Sequence, residues 1–109
     1  MSEKEIRCSK HAHKRLRKRC HIKADKSVEK VQEVYYYGVH RLQLKGSLRR
    51  YIDKLYFSHG EVSSLFVYKD KVYIFIDRML ITVLPLPNNF RKQAIKITKQ
   101  NNSTEEEVR

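Results

Sequence analysis

The sequence predicts an α+β fold in which two or three N-terminal helices pack on a C-terminal three-stranded antiparallel meander. Two features of the pattern predict it. Up to about position 60 the apolar residues recur at helical spacing, and from Ser63 the period drops to two, with β-branched and aromatic residues in the runs. Length bounds the answer, because 109 residues suffice for one core and not for two. Residues 1–99 are therefore expected to form a single basic domain and residues 100–109, with Glu105, Glu106 and Glu107 together, a disordered acidic tail.

Each element has its own signal. Ile6-Arg7-Cys8 reads as a short edge strand, and Ser9 stands where a helix N-cap is wanted, its hydroxyl placed to accept from an amide of the first turn. A first helix follows from Lys10 to about Cys20, with Ala12, Leu16 and Cys20 as a narrow apolar seam. Asp25 or Ser27 caps a second helix carrying Val28, Val31, Val34 and Tyr35 at helical spacing, and Gly38 supplies a left-handed C-terminal turn. Val39 to Lys45 is a connector. Gly46-Ser47 opens a third helix on Leu48, Tyr51, Ile52, Leu55 and Tyr56, stopped at Gly60.

Three strands follow, on Leu65 to Tyr68, Val72 to Ile76 and Met79 to Leu84. Two-residue breaks separate them, at Lys69-Asp70 or Asp70-Lys71 and at Asp77-Arg78, and Pro85 and Pro87 end the last by removing backbone donors. Asn88 to Lys99 reads as a short helix with Phe90, Ala94 and Ile97 on one face. The strands are apolar at both parities. Their second face is thus expected to be partly covered, or else to be a binding surface on which exposed aromatics stack bases.

Charge is the compositional outlier: 24 Lys and Arg against 12 Asp and Glu give a net charge of +12. Such an excess is the electrostatic footprint of a nucleic-acid-binding domain. Residues 7–23 alone hold eight Lys or Arg and three His with no acid. No apolar run approaches the roughly 18 residues of a membrane span, and the first seven residues lack a signal-peptide core, so the expectation is a cytoplasmic protein with no membrane partner. Cys8 and Cys20 are then reduced thiols rather than a disulfide.

The candidate site residues come from the basic segments. On a helical wheel His11, Arg15, Lys18 and Arg19 flank one side of the apolar seam, and Lys10, His13 and Arg17 the other; with Lys14 they can meet successive phosphates. Arg41, Lys45, Arg49 and Arg50 form a second cluster, beside the free amides that Gly46-Ser47 would offer one phosphate at a helix N-terminus. Of the five histidines, His11 stands one turn from Arg15, a pair suited to metal-free cleavage of RNA with His11 as base and Arg15 holding the phosphorane. The other histidines are His13, His21, His40 and His59, and a Tyr would serve the same requirement. Cys8, His11, Cys20 and His21 lack the spacing of a zinc site, and there is no Gly-rich phosphate loop or acidic cluster for magnesium. Neither metal nor cofactor is expected.

The opening Ser9-Lys-His11-Ala12-x-x-Arg15, continued by Arg19, and the close Val72-Tyr-Ile-Phe-Ile76 with Leu80-Ile-Thr-Val-Leu-Pro85 resemble a group of small, largely uncharacterised bacterial and phage proteins. That group starts with a His-Ala-x-x-Arg helix and ends in an Ile-Thr-Val strand; the resemblance spans roughly residues 6 to 87. It implies a phage or mobile-element origin. The layout is in turn similar to RelE-type ribonuclease toxins, which implies RNA rather than DNA as ligand and a phosphate-holding part for Arg15, Arg50 and Arg78; beside nucleic acid, the partner could be a host protein or an antitoxin. The expected function is nucleic-acid binding with RNA favoured, with or without toxin-like endoribonuclease activity. The rival from another class is a non-enzymatic inhibitor of a host defence protein.

Overall fold

The computed structural model describes residues 6–58 and 64–108. Its elements run β1 (Arg7–Cys8), α1 (Lys10–Cys20), α2 (Ala24–Tyr37), β2 (Val39–His40), a 3-10 turn (Arg41–Gln43), α3 (Gly46–Ser58), β3 (Ser64–Tyr68), β4 (Lys71–Ile76), β5 (Met79–Pro85) and α4 (Asn88–Val108). His59, Gly60 and Ser63, to which the sequence reading gave a histidine, a helix stop and the onset of the sheet, lie outside the described residues.

The predicted architecture needs correction. The sheet has five strands in the order β1-β5-β4-β3-β2, and it is mixed, because β1 runs parallel to β5 while every other pair is antiparallel. Helices are interleaved with strands rather than gathered at the N-terminus: β2 separates α2 from α3, and α4 follows the sheet. The physical reason lies in the strands. Phe66, Tyr68, Tyr73, Phe75, Leu80 and Val83 face a cluster with Ala12, Leu16, Val31 and Val34, whereas Leu65, Val67, Val72 and Ile74 face one with Leu48, Ile52 and Ala94. Both faces are apolar, so both need cover. Helices α1 and α2 cover one and α3 and α4 the other, giving three layers.

A bulge in β5 makes this possible. Ile74 pairs with Thr82 but Phe75 with Leu80, leaving Ile81 as the extra residue. Leu80 and Val83, three apart, thereby reach the same face. Leu16, wholly buried against it, contributes about 1.5–3 kcal/mol by leaving water.

Local signals resolve unevenly. Ser9 does cap α1, its Oγ accepting from the Ala12 amide at 3.1 Å. Helix α2 begins at Ala24 after Lys23, with no side-chain cap; neither Asp25 nor Ser27 serves, and the Ser27 hydroxyl instead donates to the Lys23 carbonyl at 3.3 Å. Val28 is exposed, unlike its periodic partners Val31 and Val34. Gly38 is extended (φ −72°, ψ 164°), not left-handed. It is glycine for space, since a Cβ there would lie 2.6 Å from the Val34 carbonyl oxygen and 3.2 Å from Phe66 Cβ. The connector contains β2 and a 3-10 turn capped by His40. Helix α4 runs on to Val108, through the stretch from Gln100 that the sequence suggested as a tail. Among the described residues, no helix is long and apolar enough to cross a membrane.

Candidate functional site

Burial of Ala12 and Leu16 orients α1, and the opposite side of the helix is therefore fixed. Lys10, Lys14, Arg17 and Lys18 stand on that side, all exposed, on a helix without a single acid. None of the four makes an ion pair among the described residues. From Lys10 to Lys18 the stripe is about 12 Å long at 1.5 Å per residue. The two rails expected on either side of the seam thus merge, through Lys14, into one outward cationic face.

Arg15 and Arg19 are engaged. Arg19 is partly buried and its NH1 donates to the Val83 carbonyl of β5 at 2.7 Å, which pins the end of α1 to the sheet. The pairing of His11 with Arg15 is present, Arg15 Nε donating to His11 Nε2 at 3.1 Å. That bond occupies the nitrogen lone pair a general base would use. His13 Nδ1, on the same helix, is a buried nitrogen without a hydrogen-bond partner among the described residues.

The second cluster is largely internal. Arg41 NH1 bonds Asp53 at 2.7 Å while its guanidinium stacks 3.8 Å above the Tyr56 ring, and Arg49 Nε reaches both oxygens of the same carboxylate at 3.0 Å. Arg41 first, and Arg49 with it, hold Asp53 below the ordinary carboxylate range. Arg49 also donates to the Leu44 carbonyl at 3.3 Å. Lys45 and Arg50 remain exposed. Arg50 borders an open cavity of 820 Å³ together with Tyr51, Lys54 and Phe57. This cluster sits on the α3 layer, across the sheet from α1, so the two predicted basic regions do not form one surface. Arg78, in the β4–β5 turn, lies 5.9 Å from the centre of the Tyr35 ring.

The idea of bases stacking on the sheet does not survive. Tyr73 and Phe75 are 2% and 0% exposed, under α1 and α2. Burial pushes the Tyr73 hydroxyl well above its ordinary value, helped by Cys20, whose Sγ is 3.9 Å away. Burial likewise raises the Cys8 thiol to about 11. No three His, Cys, Asp or Glu side chains converge to hold a metal among the described residues.

One constellation escaped sequence reasoning. At the C-terminal end of α1 a pocket of 240 Å³ is lined by Arg19 and His21, by Lys30 of α2, and by Lys69, Asp70 and Lys71 of the β3–β4 turn, over Tyr68 and Tyr73. Lys30 and Lys69 lie 5.1 and 5.3 Å from the centre of the Tyr68 ring. The Tyr68 hydroxyl donates to Glu33, and burial with this carboxylate raises its pKa strongly. The contributors are up to about 50 positions apart, which is why no local motif announces them. Comparison of the chain with known protein families, with curated proteins and with solved structures finds no match to any of them.

Proposed function

We propose that this protein binds nucleic acid through the outward face of α1, reading the phosphate backbone rather than the bases. The observation that carries the proposal is the stripe Lys10, Lys14, Arg17 and Lys18, exposed on an acid-free helix and without an ion pair among the described residues. Like charges one turn apart destabilise a helix by a few tenths of a kcal/mol per pair, and a polyanion relieves that repulsion while releasing its condensed counterions. Phosphate contacts fix position without specifying sequence. RNA is favoured over DNA on the resemblance to RelE-type toxins alone. Strand cleavage is left out of the proposal, because Arg15 occupies His11 Nε2 and neither residue lines the cavities described above.

A second reading, docking to a host protein, draws on Leu42 and Phe57, which are 62% and 74% exposed near the ends of the 3-10 turn and α3. One experiment separates the two. Labelled single-stranded RNA, duplex RNA and duplex DNA are titrated with protein in chelator over a range of salt, and strand integrity is read on the same gels. With four phosphates contacted, single-strand affinity is expected to fall with a log–log salt slope of about −2.8, or roughly 50-fold between 50 and 200 mM. Absence of binding at low salt would refute the proposal, and strand scission would restore the ribonuclease reading.

A further inference from the structure

We infer that the pocket at the C-terminal end of α1 takes the terminal phosphate of a nucleic-acid strand, whose preceding backbone runs along the α1 stripe. The inference rests on the nucleic-acid reading and adds which part of the strand is recognised. Its first ground is convergence: Arg19, Lys30, Lys69 and Lys71 come from α1, α2 and the start of β4 with its turn into one concavity, against one lining carboxylate among the described residues, Asp70. Lys71 is 3.2 Å from Asp70, and Lys30 is 3.5 Å from Glu33 just outside. Even so the cations are in excess, and in a concave site their mutual repulsion is relieved most by a compact multivalent anion.

The second ground is size and rigidity. At 240 Å³ the pocket lies below the range of about 300–1,000 Å³ typical of drug-sized ligands, so it suits a small anion and not a nucleoside. Its walls are set in advance. Arg19 is held by the Val83 carbonyl at 2.7 Å, and the Lys69 amide donates at 2.9 Å to Thr98 Oγ1, whose hydroxyl in turn donates to the Ala94 carbonyl at 2.8 Å. Tyr68 offers its ring to both Lys30 and Lys69. A phosphomonoester carries up to two charges at neutral pH and an internal diester one, so the site discriminates for the strand end.

The third ground is placement. Arg17 and Lys18 of the stripe immediately precede Arg19 and His21 of the pocket, so one strand can meet both. The test compares three forms of one single-stranded RNA by fluorescence anisotropy: 5′-phosphorylated, 3′-phosphorylated, and hydroxyl at both ends. One phosphorylated form is expected to bind about tenfold tighter than the hydroxyl form, the effect of an added charge-assisted contact. Lys30→Gln and Lys69→Asn, the latter chosen because Asn tolerates the positive φ of 59° there, should abolish that preference and leave hydroxyl-ended binding nearly unchanged. Equal affinity for all three forms, or a preference that survives both substitutions, overturns the inference while the nucleic-acid reading stands. If no form binds at low salt, that reading has failed and end recognition falls with it.

Discussion

Replacing Gly38 by alanine separates two explanations of why a glycine follows α2. The backbone there, at φ −72° and ψ 164°, is open to any residue, and alanine would gain about 0.4–1 kcal/mol by stiffening the unfolded chain. Against this, the new Cβ would sit 2.6 Å from the Val34 carbonyl oxygen and 3.2 Å from Phe66 Cβ, a backbone group and a core ring that have little room to give. Overpacking of this kind costs about 1–3 kcal/mol. The net expectation is a loss of about 1–2 kcal/mol, which for a domain of this size lowers Tm by about 4–12 °C. Thermal unfolding followed by circular dichroism measures it. Gly38→Asn should be no better, whereas a left-handed glycine would tolerate asparagine. Gly46 is the internal control: its φ is 69° with nothing within 4 Å of a Cβ, so Gly46→Ala should cost roughly 1–2 kcal/mol by backbone strain and Gly46→Asn less. An alanine variant at position 38 that melts at or above the parent temperature would refute the steric argument.

Other outcomes follow from the same contacts. Changing Lys10, Lys14, Arg17 and Lys18 together to Gln should leave Tm near the parent value and flatten the single-strand salt slope by about 2.8, as anisotropy titrations at several salt concentrations would show. Arg19→Met removes the donor to the partly buried Val83 carbonyl, and a loss of about 1–3 kcal/mol in urea unfolding is expected; unchanged stability would mean the bond contributes nothing. Burial, and then the Arg41 charge, hold the His40 pKa below 6.5, and its Nδ1 accepts from the Leu42 amide at 3.1 Å, so the neutral ring is the folded form. The unfolded chain binds the proton more readily. Stability from His40 is therefore complete above pH 6.5 and is lost as pH falls from there through the lower folded value, and His40→Asn, which retains a cap acceptor, should show a flatter dependence in that window. Cys8, raised to about 11, should react with iodoacetamide at pH 8 far more slowly than a free thiol.

The basic character of α1 and its limits, Lys10 to Cys20, were legible in the chain because they rest on local chemistry: a serine cap, a seam of small and apolar residues, and cations everywhere else. The same holds for the meander, whose breaks at Lys69-Asp70 and Asp77-Arg78 are where the chain turns. Strand β1 was legible as the short edge strand Ile6-Arg7-Cys8, though its parallel pairing with β5 was not; β2, with two residues, is too short for a period of two to be counted and gains its strand geometry from β3, far away in sequence. The sequence showed apolar residues on both parities of the strands but not which segments would cover the second face, because cover is a matter of where α3 and α4 return. Tertiary structure also decided the fate of the charges. Arg41 and Arg49 look as available as Lys10 in the sequence, yet the fold folds them onto Asp53, and it carries Lys30, Lys69 and Lys71 to the end of α1. Composition determined that this chain is strongly cationic; only packing determined which cations stand on an outward face or converge on a concavity and which share one internal carboxylate, because the interaction of charges depends on their separation and burial.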